Sequence, residues 1–219
     1  MGLSISVGNL AYFADSPDDA ECFCEEMAQI NEVLAEEGLP QHREPETLPP
    51  MTDRAKLSSY SYSYLHHLRR IYARTIDNPN WIATPTPKDE SASDDEVVED
   101  LTYMFNSHLL CHSDSEGFYL PIEFDEVIVD SNKQDRIPGG LLGSSYRLME
   151  ELVFIAPKLG IQLENGHLSD AEVVKIEIAI QLEEEDESQE GLWIEKIVWL
   201  SLFEATRLSL EYKTAICFA

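Results

Sequence analysis

The hydrophobic positions of the chain recur with two different periods, and each period predicts a type of element. Short alternating or apolar runs at residues 3–7, 118–124 and 214–218 are typical of β-strands. Helical spacing predicts helices at residues 16–37, 58–76, 94–108, 145–156 and 192–212, and one from residue 170 into the acidic run EEEDESQE. The pattern therefore predicts an α+β fold, predominantly helical, with a small sheet of about three strands.

The stretch over residues 192–212 is apolar on nearly every side of a helical wheel, with Trp193, Trp199 and Phe203 among its large side chains. Such a helix is buried on all sides, so we expect a central, buried C-terminal helix. No internal repeat is visible, and we expect a single globular domain over residues 1–219. A segment rich in Pro, Ser and Asp at about residues 77–93 predicts an exposed loop.

Charge distinguishes this chain from most globular proteins of its size. Its 219 residues are 43% hydrophobic, enough for a core, but 42 acidic against 15 basic residues give a formal net charge of −27 at pH 7. Such a surface repels nucleic acid phosphates and anionic membranes and attracts basic proteins. We therefore expect a basic protein partner, with neither nucleic acid nor membrane binding; a contribution to solubility alone is the alternative.

The four cysteines do not have the spacing of a disulfide framework: Cys22, Cys24, Cys111 and Cys217. This favours a reducing compartment, and no apolar run is long enough to cross a bilayer. We therefore expect a cytoplasmic protein. No motif indicates a cofactor, and the oligomeric state stays open.

Acidic residues concentrate in three segments. Residues 15–37 contain nine acidic residues and no basic one, and further runs lie at residues 94–100 and 183–190. The first segment also has an apolar stripe, which predicts an amphipathic helix with carboxylates on its outer side. These three segments are the candidate surfaces for a basic partner.

The stretch HLLCHSDSEGFYLP at residues 108–121 concentrates the most chemically capable side chains. If His108 and His112 were both helical, their imidazoles would share one face, as in zinc-binding helices. Asp114 or Glu116 could add an oxygen ligand, so the candidate metal set is His108, His112 and Asp114. The glutamate of a metalloprotease helix is replaced by leucine.

Two other interpretations apply to the same stretch. A calcium loop counted from His112 has acids at suitable spacing, but Pro121 and the alternating residues predict a strand where a helix should follow. Alternatively the residues end a helix, and Gly117 provides a positive φ before the strand. In that case the stretch is structural.

Positive charge concentrates near YSYSYLHHLRRIYAR at residues 60–74. Between Arg54 and Arg74 there are five basic residues and no acidic one. Arg69, Arg70 and Arg74 are therefore a candidate anion site for phosphate or a carboxylate. The alternative is that these arginines pair with the abundant carboxylates of neighbouring helices.

Two classes of function remain open. The favoured one is a non-catalytic acidic protein that sequesters or neutralises a basic partner. The alternative is a hydrolase or metal-dependent enzyme centred on the cluster His108, His112 and Asp114, with Glu116, His67 and Arg70, and with Glu204 as a further wall residue. An enzyme of this kind would need these side chains to converge in one pocket. The known catalytic motifs are incomplete in this sequence: the glycine-rich stretch lacks the lysine of a P-loop, and no serine nucleophile elbow is present.

Three stretches, YLHHLRRIYAR, HLLCHSDSEGFYLP and LLGSSYRLMEEL, resemble segments of acidic bacterial proteins, some of them suspected immunity partners of toxins. The resemblance covers roughly residues 58–152. It implies a cytoplasmic, immunity-like binding protein without catalytic turnover, and it assigns no functional residue.

Overall fold

The computed structural model describes residues 2–56, 59–130, 135–186 and 191–219. Within these residues the strands are β1 (Gly2–Val7), β2 (Ser59–Ser61), β3 (Gly117–Leu120), β4 (Ile128–Val129), β5 (Leu141–Ser144) and β6 (Ile216–Phe218). The helices are α1 (Asn9–Tyr12), α2 (Pro17–Glu36), α3 (Tyr62–Asp77), α4 (Glu96–Thr102), α5 (His108–Cys111), α6 (Ser145–Ile155), α7 (Asp170–Glu184) and α8 (Trp193–Tyr212). Short 3-10 helices lie at Phe13–Asp15, Ala92–Asp94, Pro138–Gly140 and Ala156–Leu159. The predicted α+β class, predominantly helical, is confirmed.

The described strands form one mixed sheet in the order β2-β1-β6-β3-β5-β4. Only the β3–β5 pair is parallel among them. The predicted number of about three strands is wrong, because the sheet has six. The three predicted segments form its centre as β1, β6 and β3, whereas β2, β4 and β5 are two to four residues long. The predicted strands β3 and β6 are no longer than these, but β2 and β5 each run directly into a helix, at Tyr62 and Ser145, so their residues merge with the helical spacing that follows.

Helices cover both faces of the sheet. Tyr119 of β3 packs in a cluster with residues of α3, α6 and α8. Its neighbours Phe118 and Leu120 point to the other face, where they pack with α2. Successive side chains of a strand alternate between faces, so a strand covered on both sides is apolar throughout.

The last helix, α8, is the centre of the larger layer. Trp199 stacks on Phe203 with ring centroids 4.7 Å apart, and Trp199 Nε1 donates a hydrogen bond to the Leu152 carbonyl at 2.8 Å. Both side chains are almost completely buried. The prediction of a central, buried C-terminal helix is confirmed. Among the described residues, no helix combines the length and the apolar character needed to span a membrane.

Four of the predicted helices, α2, α6, α7 and α8, occur with nearly the predicted bounds. The helix predicted at residues 94–108 is wrong: α4 ends at Thr102, Phe105 has a left-handed φ of 53°, and α5 then forms separately. The helix predicted at residues 58–76 begins only at Tyr62, because β2 precedes it. The strand predicted at residues 118–124 ends at Leu120, where Pro121 cannot donate to a neighbouring strand. Residues 58 and 187–190 of these predictions lie outside the described residues.

Deletion of residues 215–219 tests the role of β6. This strand pairs with β1 on one side and β3 on the other, and it contributes the buried Ile216 and Phe218. We expect the deletion to lower the free energy of unfolding by at least about 5 kcal/mol, because two large core side chains and two strand pairings are lost. A matched control that deletes only Ala219 removes two backbone hydrogen bonds to Ser4 and should cost about 1–2 kcal/mol. Thermal unfolding followed by circular dichroism measures both; an unchanged melting temperature for the larger deletion contradicts the assignment.

Candidate functional site

His108 lies buried on α5, and both of its ring nitrogens are engaged. Nδ1 accepts a hydrogen bond from the Ser144 backbone N–H at 2.9 Å, which places the proton on Nε2. Nε2 faces the Asp125 carbonyl at 3.2 Å and donates to it. Burial lowers the pKa of His108 to about 4, so the ring is neutral near pH 7.

His112 follows α5 in an extended conformation and does not share a helical face with His108. Its ring stacks on Tyr119 with centroids 4.0 Å apart. Nδ1 lies 2.8 Å from the Ser113 carbonyl and Nε2 lies 3.1 Å from the Phe118 carbonyl. Burial lowers the pKa of His112 to about 4, so the neutral ring donates one of these contacts. The nitrogens of both rings therefore face backbone groups rather than each other.

Neither predicted acidic ligand is hydrogen-bonded to His108 or His112. Asp114 accepts a hydrogen bond from His66 Nε2 at 2.9 Å instead, and Glu116 is exposed in the loop before β3. Within the described ranges, no group of three His, Cys, Asp or Glu side chains is placed to hold a metal ion. The helix that would have aligned His108 with His112 ends at Cys111, and this is why the set does not assemble.

The turn into β3 depends on Gly117. Its φ is 121°, in the region that favours glycine. An added Cβ would lie 2.9 Å from the Pro138 carbonyl oxygen and 3.1 Å from the His112 ring. The positive φ predicted at this position is confirmed, and the stretch around it functions as a turn between α5 and β3.

The predicted anion-site arginines bind groups of the protein itself. Arg69 Nε donates to the Leu109 carbonyl at 2.8 Å, and its terminal nitrogen donates to the His112 carbonyl. Arg70 and Arg74 both bind Asp95, at 3.1 and 2.9 Å. Asp95 in turn accepts the Val97 N–H and caps α4. In this structure the anion bound by Arg70 and Arg74 is therefore the Asp95 carboxylate.

The remaining candidates of the enzyme hypothesis lie in two other places. His67 contacts Glu195 at 3.6 Å and Thr86 at 3.2 Å, on the side of α3 that faces the start of α8. Glu204 is fully buried and binds Arg54 at 2.5 Å and Arg207 at 2.9 Å. The structure does not bring these groups together with the two buried histidines into one pocket.

Glu151 is a buried carboxylate that the sequence analysis did not single out. Its two oxygens accept the backbone N–H groups of His108 at 2.9 Å and Leu109 at 2.7 Å, at the start of α5. Desolvation raises its pKa to about 7. The signal that could have found it is an acid within the inward stripe of α6, next to Leu148 and Leu152.

Carboxylates line the outer side of α2. The helix buries Phe23, Met27, Ile30 and Leu34 against the sheet. At about 100° per residue, five exposed carboxylates fall within about 60° of one another on the opposite side. We call them the α2 ridge: Asp18, Glu21, Glu25, Glu32 and Glu36. The ridge spans about 27 Å along the helix axis.

Arg136 places a positive charge beside the C-terminal end of α2. Arg136, which is buried, donates to both oxygens of Glu36 at 2.9 Å and also binds Asp130 at 2.9 Å. Glu32 lies 3.9 Å from the same guanidinium. Within the described part of the chain, no Lys or Arg forms an ion pair with the acidic residues between positions 15 and 26. The first half of α2 therefore presents uncompensated negative charge.

Most cations of the described chain are bound to groups of the protein itself. Among the described residues, nine Lys and Arg side chains form ion pairs with carboxylates: Arg54, Lys56, Arg70, Arg74, Arg136, Arg147, Lys175, Lys196 and Arg207. Two more, Arg69 and Lys158, donate to backbone carbonyls. Because the cations are bound in this way, the surplus of carboxylates dominates the surface.

The protein therefore presents a negatively charged surface, as a polyanion does: its cations are bound to its own groups, and the carboxylates of the α2 ridge face outward. A family model described as "Putative DNA-mimic protein" matches residues 1–218, nearly the whole chain. The protein belongs to this family. Searches of curated proteins and of solved structures gave no match.

Glu151 should make stability depend on pH. Its pKa in the folded protein, about 7, is above the ordinary value of 4.5, so the folded state holds a proton that the unfolded chain releases. This contribution to stability is fully present below pH 4.5 and is lost as the pH rises to about 7. We expect the difference in unfolding free energy between native protein and Glu151→Gln to fall over this range and to level off above it. Urea unfolding at pH 5, 6, 7 and 8 measures the difference, with the exposed neighbour substitution Glu150→Gln as control; a pH-independent difference contradicts the raised pKa.

Proposed function

We propose that this protein is a DNA mimic that occupies the DNA-binding surface of a basic, DNA-binding protein. The α2 ridge takes the place of one phosphate strand. The observation that carries this proposal is the row of exposed carboxylates on α2, whose ion-paired cation among the described residues is Arg136, near the C-terminal end. Family membership supports the same function.

The linear charge density of α2 is close to that of a nucleic acid strand. A helix of 20 residues is about 30 Å long, and α2 carries seven carboxylates, or one per about 4 Å; the five on the α2 ridge follow one another at about 7 Å on average. One strand of DNA carries a phosphate per about 3.4 Å of helix axis. Carboxylates, like phosphates, accept charge-assisted hydrogen bonds from Lys and Arg. Basic side chains spaced for a phosphate strand therefore find an acceptor on the α2 ridge at about every second phosphate position.

The other acidic segments are less suited to this role. In the segment at residues 94–100, Asp95 is bound by Arg70 and Arg74, and α4 itself is only seven residues long. In the segment at residues 183–190, Glu183 pairs with Lys196, and residues 187–190 lie outside the described residues. On both grounds the α2 ridge is the principal binding surface.

The proposed action is sequestration without turnover, in the cytoplasm. The described cysteines are free, which suits a reducing compartment. A toxin that acts on DNA presents a basic surface of the required kind, so an immunity-like role is one form of this function. The candidate groups for catalysis are instead engaged in contacts that hold the fold together.

Charge neutralisation of the α2 ridge tests the proposal. The ridge variant combines Asp18→Asn, Glu21→Gln, Glu25→Gln and Glu32→Gln, and leaves Glu36 bound to Arg136. The control removes the same charge from the surface around α4 with Asp94→Asn, Glu96→Gln, Glu99→Gln and Asp100→Asn. Displacement of a labelled DNA duplex from a panel of purified non-specific DNA-binding proteins is measured by fluorescence anisotropy.

We expect the native protein to displace the DNA and the ridge variant to need at least about tenfold more protein, since several charge-assisted contacts are lost. The control should stay within about threefold, and added salt should weaken the native protein's effect. Equal losses in both variants would show that overall charge, rather than α2, is responsible. Failure of the native protein to displace DNA from any member of the panel would contradict the function itself.

A further inference from the structure

A buried carboxylate near the start of α8 lacks the hydrogen bonds that such a group normally makes. Glu195 is only 2% exposed, and its Oε1 has no hydrogen-bond partner among the described residues. His67 Nδ1 lies 3.6 Å away, beyond hydrogen-bond distance, and the same nitrogen lies 3.2 Å from Thr86 Oγ1. Lys196, the next residue along α8, binds Glu183 instead. A buried carboxylate oxygen is costly without a donor, so this one indicates a site for a donor from outside the chain.

The same carboxylate lines a cavity between residues 85–90 and the start of α8, which we call the Glu195 cavity. Its volume is about 400 Å³, within the range of about 300–1,000 Å³ that small-molecule sites occupy. Four of the residues around it are apolar: Pro85, Pro87, Trp193 and Ile194. Together with them, His67, Thr86 and Glu195 supply a few polar groups. Apolar walls with a few converging polar groups are typical of a site for a small molecule.

The charges around the Glu195 cavity favour a cation. Lys88 and Glu90 also line it, but both are exposed, so they lie at its mouth, where their opposite charges offset each other. Glu195 is the buried charged group of the lining, and a charge among apolar walls attracts its opposite more strongly than a charge in water does. The net charge of −27 also concentrates cations around the protein and repels anions.

We propose that the Glu195 cavity binds a small alkylguanidinium through the carboxylate of Glu195. A guanidinium donates charge-assisted hydrogen bonds to a carboxylate and is less strongly hydrated than an ammonium. It therefore loses less hydration on entering a cavity with apolar walls. Its short alkyl chain packs against the prolines, and Trp193 offers an aromatic surface that attracts cations.

The Glu195 cavity is separate from the α2 ridge. Helices α3 and α8 pack on one face of the sheet, whereas α2 covers the other face. A ligand in the cavity therefore does not compete with a partner on the α2 ridge. For this reason we assign a free small molecule rather than an arginine side chain of such a partner. This inference does not depend on the proposed function.

Isothermal titration calorimetry of the full-length chain with butylguanidinium measures the affinity. We expect a dissociation constant below about 1 mM, and at least about tenfold weaker binding of butylammonium, which has the same chain and charge. Glu195→Gln keeps the shape of the side chain and removes its charge, so it should weaken butylguanidinium binding at least about tenfold. The control Glu37→Gln removes an exposed carboxylate after α2 and should change the affinity less than about twofold, because that charge is screened by solvent.

Four results would overturn the proposal. Absence of binding at butylguanidinium concentrations up to about 10 mM would show that water alone satisfies Glu195. Equal affinities for the two cations would contradict the choice of a guanidinium. Equal losses in Glu195→Gln and Glu37→Gln would mean that overall charge attracts the ligand. Equally tight binding of the capped peptide acetyl-glycyl-arginyl-glycinamide would identify a protein side chain, rather than a free small molecule, as the ligand.

The indole N–H signals of a ¹H–¹⁵N NMR spectrum locate the ligand. Of the three tryptophans, Trp193 lines the cavity, Trp199 is buried in the core and Trp81 has the Arg70 guanidinium over its ring. Butylguanidinium should move the signal that is missing in Trp193→Phe and leave the other two in place. Thr86→Phe adds a ring to the wall of the cavity and retains Glu195, so it should abolish this movement.

The same spectra show whether each variant is folded, because the Trp199 signal reports the packing of the core. Movement of the Trp81 signal without that of Trp193 would place the ligand outside the Glu195 cavity and overturn the proposal. An unchanged response in folded Thr86→Phe would do the same.

Discussion

Burial of the sheet on both faces is the constraint on which the rest of the structure depends. The central strand β3 is apolar in consecutive positions, so each face requires a cover. The α3, α6 and α8 helices cover one face, and α2 covers the other. Since the inner side of α2 is occupied by core side chains, most of its carboxylates lie on the outside, where they form the α2 ridge. The proposed binding surface is thus a direct consequence of how the core is closed.

The cations of the chain help to hold its helices and strands together. A net charge of −27 opposes compaction, and cations placed between elements offset it where the elements meet. Arg136 holds α2 to the segment at Asp130, and Glu204 of α8 is held between Arg54 and Arg207. Loss of one partner would leave a buried charge uncompensated, so substitution of either member of such a pair should strongly destabilise the fold. Using cations in this way leaves the exterior acidic.

The short helix α5 explains why so many chemically capable residues gather around residues 108–121. A helix of four residues leaves most of its backbone groups without partners inside the helix. Glu151 accepts two of its N–H groups, and Arg69 binds carbonyls near its end. Buried His108 and His112 complete the same network through backbone contacts. Side chains that suggest a metal or catalytic site in the sequence therefore supply hydrogen bonds to a buried segment of backbone.

The sequence by itself determined the helices and strands that depend on residues close to one another in the chain. The amphipathic pattern and Pro17 mark α2, the continuous apolar pattern marks α8, and three apolar runs mark the central strands. Tertiary structure alone decided the three short strands, the break between α4 and α5, and the roles of the charged residues. The physical reason is range: periodicity reports neighbours within a few residues, whereas Arg69 meets Leu109 across 40 positions and Glu151 meets His108 across 43. Whether a carboxylate or an imidazole faces solvent or a buried backbone group depends on these distant contacts, which no local pattern contains.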